Sequence, residues 1–121
     1  MLLTGDYAKL LPALERMKID QFVLEYATPR AGDIEVVGNA LADRELGLGV
    51  VNPRTDDVES TDYIVAKAEQ ALVHYQPEQL FLNTDCGFGC FASRSVNVEE
   101  VVYKKLCAIV EASQILREKY S

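Results

Sequence analysis

The sequence has few basic residues, few cysteines and no long apolar run. Its 121 residues include 12 Lys and Arg against 19 Asp and Glu, which gives a formal net charge of −7. This scarcity of positive charge argues against a protein that binds the phosphate backbone of a nucleic acid. No apolar stretch approaches the ~20 residues of a transmembrane helix, so no membrane span is expected. The N-terminal residues also lack the basic and then apolar pattern of a secretory signal.

The cysteine count and the apolar content narrow the class of protein further. Three cysteines, an odd and low number, do not form a disulfide framework and fit a reducing compartment. Hydrophobic residues make up 49% of the chain, which is too apolar for a disordered acidic segment. The sequence therefore predicts one cytoplasmic domain over residues 1–121.

Three short apolar runs are the predicted strands. They cover residues 22–24, 46–51 and 80–82, and each one ends in polar residues. None of them alternates strictly between apolar and polar positions. This pattern predicts strands that are buried on both faces, as in a parallel sheet.

Helical patterns separate and follow the predicted strands, at residues 6–17, 33–41, 61–75 and 98–119. Pro12 kinks or restarts the first helix, and Gly38 weakens the second. Ser60 is the expected N-cap of the third helix, which Pro77 ends, and Asn97 with Glu100 resembles a capping box for the fourth.

Apolar stripes predict the buried faces of the third and fourth helices. The third helix presents Ile64, Ala68, Ala71, Leu72 and Tyr75, and the fourth presents Val102, Leu106, Ile109, Val110, Ser113 and Leu116. The predicted order is α-β-α-β-α-β-α, which implies an α/β fold with right-handed crossovers and a parallel sheet.

Functional groups in such folds gather at the carboxyl ends of the strands. Glu25 follows the first predicted strand, residues 52–54 follow the second, and residues 85–90 follow the third. A carboxylate at Glu25 and a thiol at Cys86 would both face this edge and are suitable metal ligands. The alternatives are a solvated loop carboxylate for Glu25 and a small buried apolar residue for Cys86.

Other candidate ligands have weaker patterns. The spacing of Cys86 and Cys90 is not a common zinc-binding spacing. Cys107 lies within a helix and is expected in the core or on a helix flank. His74 lies late in its helix, where we expect it to be exposed near the C-terminus of that helix.

Three segments carry a resemblance to a known family. IDQFVLEYATPRAGDIEVV, LGLGVVNPRTDDVES and PEQLFLNTDCGFGCFASR resemble, in this order, the C-terminal part of the cobalamin-independent methionine synthase family. The chain looks most like the shorter, single-barrel relatives, and the similarity runs from residue 10 to residue 116. The Asn-x-Asp-Cys-Gly segment, about sixty residues after the Glu-bearing strand, is its most specific part.

The resemblance implies the last three units of a (β/α)8 TIM barrel and a role in methionine biosynthesis. In this family, zinc activates the homocysteine thiol, which takes a methyl group from 5-methyltetrahydrofolate or its pteroyltriglutamate form. By motif position, Glu25 and Cys86 match two of the family's zinc ligands, and Cys90 is a further candidate. The family's upstream His-x-Cys pair has no match here, so we expect a partial zinc site that is inactive alone.

Two other functions are compatible with the sequence. The chain could be a non-catalytic α/β module, derived from the same family, for oligomerisation or metal binding. A redox role for Cys86 and Cys90 has less support, because their loop lacks CxxC spacing and adjacent basic residues. Open edges of a three-stranded sheet also predict a homo-oligomer, or association with an N-terminal barrel half.

Overall fold

The computed structural model describes residues 7–27, 34–86 and 99–120. The strands are β1 (Gln21–Glu25), β2 (Glu45–Val51) and β3 (Leu80–Thr84). The α-helices are α1 (Leu11–Arg16), α2 (Ile34–Leu41), α3 (Thr61–Ala71) and α4 (Glu99–Tyr120). Single 3-10 turns at Tyr7–Leu10 and Pro77–Gln79 precede α1 and β3.

The three strands form one parallel sheet in the order β1-β2-β3. Phe22 pairs with Leu46, and Leu46 pairs with Leu80, so the apolar runs lie side by side. Helices connect successive strands, as parallel pairing requires. The predicted α/β fold and its element order are therefore confirmed.

Burial differs between the central and outer strands, which corrects the expectation that all three are buried on both faces. Six of the seven residues of β2 are buried. On the outer strands, however, Val23 is 62% exposed and Phe81 is 46% exposed. Val23 and Phe81 lie in one register row with Gly47 and so face the same side of the sheet, and β1 and β3 each pair with β2 alone among the described residues.

The third helix begins as predicted but ends earlier, and the first predicted helix is a 3-10 turn followed by α1, which starts at Leu11. Pro12 lies in the first turn of α1, where proline is tolerated because its missing N–H would have no intrahelical partner. Ser60 caps α3 by accepting a hydrogen bond from the Tyr63 N–H at 3.1 Å. The Ala71 carbonyl accepts from both the His74 and Tyr75 N–H groups, which tightens the chain into a turn before Pro77. Asn97 and its predicted capping box lie outside the described residues.

The buried face of α4 agrees with the predicted one at Leu116 but not at Leu106 and Val110. The buried residues are Lys105, Ala108, Ala112 and Leu116, whereas Leu106 and Val110 are 45% and 54% exposed. Small side chains at positions 108 and 112 allow the helix to lie close against the rest of the fold. The face of α4 that is buried is therefore the one that permits close packing, not the one with the largest apolar side chains. In the described part of the chain, no helix is both long and apolar enough to cross a membrane.

His74 is half-buried rather than exposed as predicted. Its ring lies against Gly38 of α2, where a Cβ atom would come within 2.5 Å of the imidazole Cγ. The missing side chain of Gly38 allows α2, which is continuous through this residue, to pack against the turn that follows α3. The contact lies between helices, which supports a structural role for this histidine.

Lys105 organises the loop that follows β2. Its Nζ donates to the carbonyl oxygens of Asn52 and Asp57, at 2.9 and 2.7 Å, and to Glu59 Oε1 at 3.0 Å. Thr55 Oγ1 lies 3.4 Å from the same nitrogen. The second carboxylate oxygen of Glu59 accepts from the Asn52 N–H at 2.7 Å. We call these five residues the Lys105 cluster.

Candidate functional site at the carboxyl edge of the sheet

Glu25 and Cys86 lie at the same edge of the sheet, on strands that are not direct neighbours. Glu25 ends β1, Cys86 follows β3 by two residues, and β2 runs between them. Glu25 pairs with Gly49, which in turn pairs with Asn83. Two strand spacings of about 4.8 Å therefore separate the backbones of β1 and β3 at this level. The residues do share one edge, but their backbones are too far apart for direct contact.

Asp85 connects the ends of the three strands. Its backbone N–H donates to the Val51 carbonyl of β2 at 2.9 Å. Its side-chain Oδ1 accepts hydrogen bonds from the N–H groups of Tyr26, at 3.1 Å, and Ala27, at 3.2 Å. The side chain thus reaches across β2 to the chain that leaves β1. We call Glu25, Asp85 and Cys86 the carboxyl edge.

Gly49 makes room for this crossing. A Cβ atom at position 49 would overlap Asp85 Oδ1 and would lie 2.9 Å from the Leu24 carbonyl oxygen. Gly47, two residues earlier on the same strand, is crowded in a similar way by Asn83 and Val23. Glycines at alternate positions of a buried strand indicate a close approach by neighbouring groups, and this is the sequence signal that points to Asp85.

Tyr7 holds the backbone of Glu25 from the other side. The Glu25 N–H donates to the Tyr7 hydroxyl at 2.8 Å, and that hydroxyl lies 3.2 Å from the Glu25 carbonyl oxygen, to which it can donate. The rings of Tyr7 and Tyr26 pack with centroids 5.3 Å apart. Among the described residues, nothing forms a hydrogen bond or ion pair with the Glu25 carboxylate itself. The Tyr7 hydroxyl holds the backbone of Glu25 in place.

The environment of Asp85 disfavours its ionised form. Burial raises the pKa of this carboxyl group from 3.8 to about 6, and the nearby charge of Glu25 adds to the rise. The hydrogen bonds from Ala27 and Tyr26 and the positive charge of Arg54 act in the opposite direction. The same edge raises the pKa of Tyr7, chiefly through burial of its ring and also through the charges of Glu25 and Asp85. The carboxyl edge is thus a partly desolvated site of net negative charge.

The cysteines lie in different surroundings. Cys86 is half-buried, and its carbonyl oxygen accepts a hydrogen bond from Thr84 Oγ1 at 2.9 Å, which shapes the turn after β3. Cys107 is half-buried on α4, as expected for a helix flank. Cys90 lies outside the described residues. Within the described ranges, no group of three His, Cys, Asp or Glu side chains is placed to hold a metal ion.

A parallel sheet in sequential strand order, with helical crossovers and polar groups at its carboxyl edge, is the arrangement of consecutive units of an α/β barrel. Residues 4–114 match the family described as the catalytic domain of cobalamin-independent synthases. The chain belongs to this family, and the resemblance seen in its sequence is confirmed.

Relatives and a solved structure agree with this assignment. Methionine synthases from Pyrococcus abyssi and from Saccharolobus islandicus strain Y.G.57.14 are 31% and 26% identical to the chain over 115 residues. The fold matches a B12-independent methionine synthase from Shewanella sp. W3-18-1, solved in complex with selenomethionine, with a TM-score of 0.80 and 20% identity. Each comparison covers 95% of this chain.

The chain spans about a third of the length of these relatives. The matched region is 32% of the Pyrococcus abyssi protein, 33% of the Saccharolobus islandicus protein and 32% of the Shewanella chain. The fold of three βα units therefore corresponds to part of a methionine synthase TIM barrel. The zinc ligands and substrates expected from the resemblance remain predictions.

Proposed function

We propose that this chain supplies part of the active site of a zinc-dependent S-methyltransferase of the methionine synthase type. The methyl group passes from 5-methyltetrahydrofolate, or its pteroyltriglutamate form, to the sulfur of homocysteine. One observation carries the proposal: Glu25 and Cys86 lie at one edge of a parallel sheet, in a chain that belongs to the cobalamin-independent synthase family.

The chemistry of the carboxyl edge suits zinc in part. A thiolate at Cys86 and a carboxylate at Glu25 are both suitable zinc ligands. A catalytic zinc ion has about three protein ligands and one open position for substrate. Zinc lowers the pKa of a bound thiol, which supplies the thiolate needed for methyl transfer.

The donor count defines the role of this chain. Glu25 and Cys86 provide two donors, Cys90 is a third candidate, and the described residues contain no complete cluster. We infer that the remaining ligands and the substrate contacts come from the rest of a barrel, in the same or another polypeptide. On this proposal, the three βα units alone do not catalyse methyl transfer.

Zinc titration of the chain tests the proposed ligands. We expect one zinc ion per chain, measured by competition with a chromophoric chelator, and loss of this binding in Glu25→Gln and Cys86→Ser. Cys107→Ser is the matched control, because it removes a thiol that lies outside the carboxyl edge. Glu45→Gln is the corresponding control for a carboxylate, because Glu45 lies at the start of β2, away from this edge. Equal zinc affinity in all four variants would contradict the proposal.

Complementation tests the activity. The N-terminal two-thirds of the Pyrococcus abyssi relative, supplied as a separate chain with zinc, should restore methionine formation from homocysteine and 5-methyltetrahydrofolate. The chain alone should form none, and Glu25→Gln should abolish the restored activity. Turnover by the chain alone would show that these units suffice and would refute the need for further ligands.

A non-catalytic association module is the second candidate, because apolar groups lie exposed along β3. Phe81 is 46% exposed, and a groove of about 480 Å³ between β3 and α4 is lined by Leu80, Leu82 and Ile109, among others. Open strand edges with apolar side chains promote association.

Light scattering tests this association. The chain should be a dimer at micromolar concentration, and Phe81→Glu should shift it toward monomer. Val73→Glu, at a site that is 78% exposed and away from the sheet, should leave the dimer unchanged. A monomeric chain at these concentrations would contradict the module.

A further inference from the structure

We propose that Asp85 is a positioning residue that sets the separation between the Glu25 carboxylate and the Cys86 thiol. The inference rests on the proposed zinc site, because it concerns how two of its ligands are held. The Asp85 carboxylate accepts hydrogen bonds from the backbone N–H groups of Tyr26 and Ala27, the two residues that follow Glu25. Its action on zinc would therefore be indirect.

The hydrogen bonds of Asp85 join the immediate neighbours of both donors. Asp85 immediately precedes Cys86 in the chain. The N–H groups that donate hydrogen bonds to its side chain belong to Tyr26 and Ala27, which follow Glu25. Its own N–H is fixed on Val51 of β2. A single side chain thus spans the gap between next-but-one strands, at a level where no direct ladder can connect β1 and β3.

The two N–H groups differ in what else they bond. The Tyr26 N–H also donates to the Gly49 carbonyl at 3.1 Å, so it keeps a partner when Asp85 is removed. For the Ala27 N–H, Asp85 Oδ1 is the acceptor that the structure describes. Hydrogen exchange at Ala27 is therefore a reporter of the Asp85 connection that does not depend on metal.

Two substitutions separate position from charge. Asp85→Asn keeps an oxygen that can accept both N–H groups but removes the negative charge. Gly49→Ala keeps the charge of Asp85, but its methyl group would overlap Oδ1 and displace it. Asp85→Ala removes both properties, and Gly47→Ala is the matched control for adding a methyl group to the same strand.

The experiment measures zinc affinity and amide exchange on the full chain and its variants. We expect Asp85→Ala and Gly49→Ala to weaken zinc binding by about tenfold or more, as loss of groups that orient metal ligands does, and to speed exchange at Ala27. Asp85→Asn and Gly47→Ala should retain both the zinc affinity and the protection at Ala27. Exchange at core amides of β2 reports whether each variant is folded.

The outcomes distinguish this inference from the proposed function. If the unsubstituted chain binds no zinc, both are overturned. If it binds zinc and Gly49→Ala loses protection at Ala27 without losing affinity, the positioning role alone is overturned. If Asp85→Asn weakens zinc as much as Asp85→Ala does, while Ala27 stays protected, the charge of Asp85 matters and its position does not. If Asp85→Ala does not fold, Gly49→Ala and Asp85→Asn still decide between these outcomes.

Discussion

The Lys105 cluster and the carboxyl edge both place charged groups in partly desolvated surroundings, yet they are built in opposite ways. In the cluster, the fully buried Lys105 ammonium is matched by Glu59 and two carbonyl oxygens. At the edge, Glu25 and Asp85 place two carboxyl groups near each other, and burial together with the Glu25 charge raises the pKa of Asp85. The first arrangement is electrostatically complete, whereas the second favours an incoming cation.

This difference indicates a structural role for the Lys105 cluster and a binding role for the carboxyl edge. A satisfied buried charge rigidifies a loop, and removing one partner is costly because the other remains buried. Carboxyl groups that are held close together to bind a cation repel each other when no cation is bound, and this repulsion lowers the stability of the fold. We therefore expect substitutions in the cluster to act on folding, and substitutions of the Glu25 side chain to act on metal binding.

The largest expected effect is that of Lys105→Met. Methionine preserves the apolar arm but leaves one oxygen of the Glu59 carboxylate and two carbonyl oxygens without the Lys105 donor, at a cost of about 3–5 kcal/mol in the free energy of unfolding. Urea unfolding measures the change. Lys104→Met, at an exposed neighbour paired with Glu100, should cost no more than about 0.5 kcal/mol. Equal effects of the two substitutions would show that the buried hydrogen bonds of Lys105 do not stabilise the fold.

Tyr7→Phe should have an intermediate effect. It deletes the hydroxyl that bonds the backbone of Glu25 but keeps the ring packed on Tyr26, so we expect a loss of about 1 kcal/mol in the free energy of unfolding. Tyr63→Phe, on the exposed side of α3, is the matched control and should change little. A Tyr7→Phe variant as stable as the control would mean that the hydroxyl does not hold β1.

Glu25→Gln should have the smallest effect on stability. The side chain keeps its shape, and its carboxylate has no described partner to lose, so the free energy of unfolding should change by less than about 0.5 kcal/mol. The same variant should lose zinc binding. A destabilisation approaching that of Lys105→Met would assign Glu25 a structural role, and the carboxyl edge would then not differ from the Lys105 cluster in this respect.

The strands were the most predictable part of the fold. Each apolar run lies within the observed strand and differs from it by at most two residues at either end. The parallel order also follows from the alternation of strands and helices, because this alternation leaves few topologies. Glu25 and Cys86 were predictable as edge residues for the same reason, since position along a strand determines which end a side chain occupies.

The face of α4 and the partners of Asp85 were not predictable in this way. Hydrophobic periodicity favours Leu106 and Val110, but Ala108 and Ala112 are buried because close packing depends on the shape of the facing surface. Lys105 is buried because a loop about fifty residues earlier in the chain supplies its acceptors. Periodicity counts apolar residues along one element and contains no information about such distant partners.

Local patterns determined where the strands and helices lie, which polar residues reach the carboxyl edge, and the family to which the chain belongs. Tertiary structure decided that Asp85 bonds to the chain after β1, that Gly49 gives it room, and that Lys105 is enclosed by a loop. The physical reason is range: backbone propensity and alternation act over a few neighbouring residues, whereas hydrogen bonds between Asp85 and Tyr26 join groups 59 positions apart.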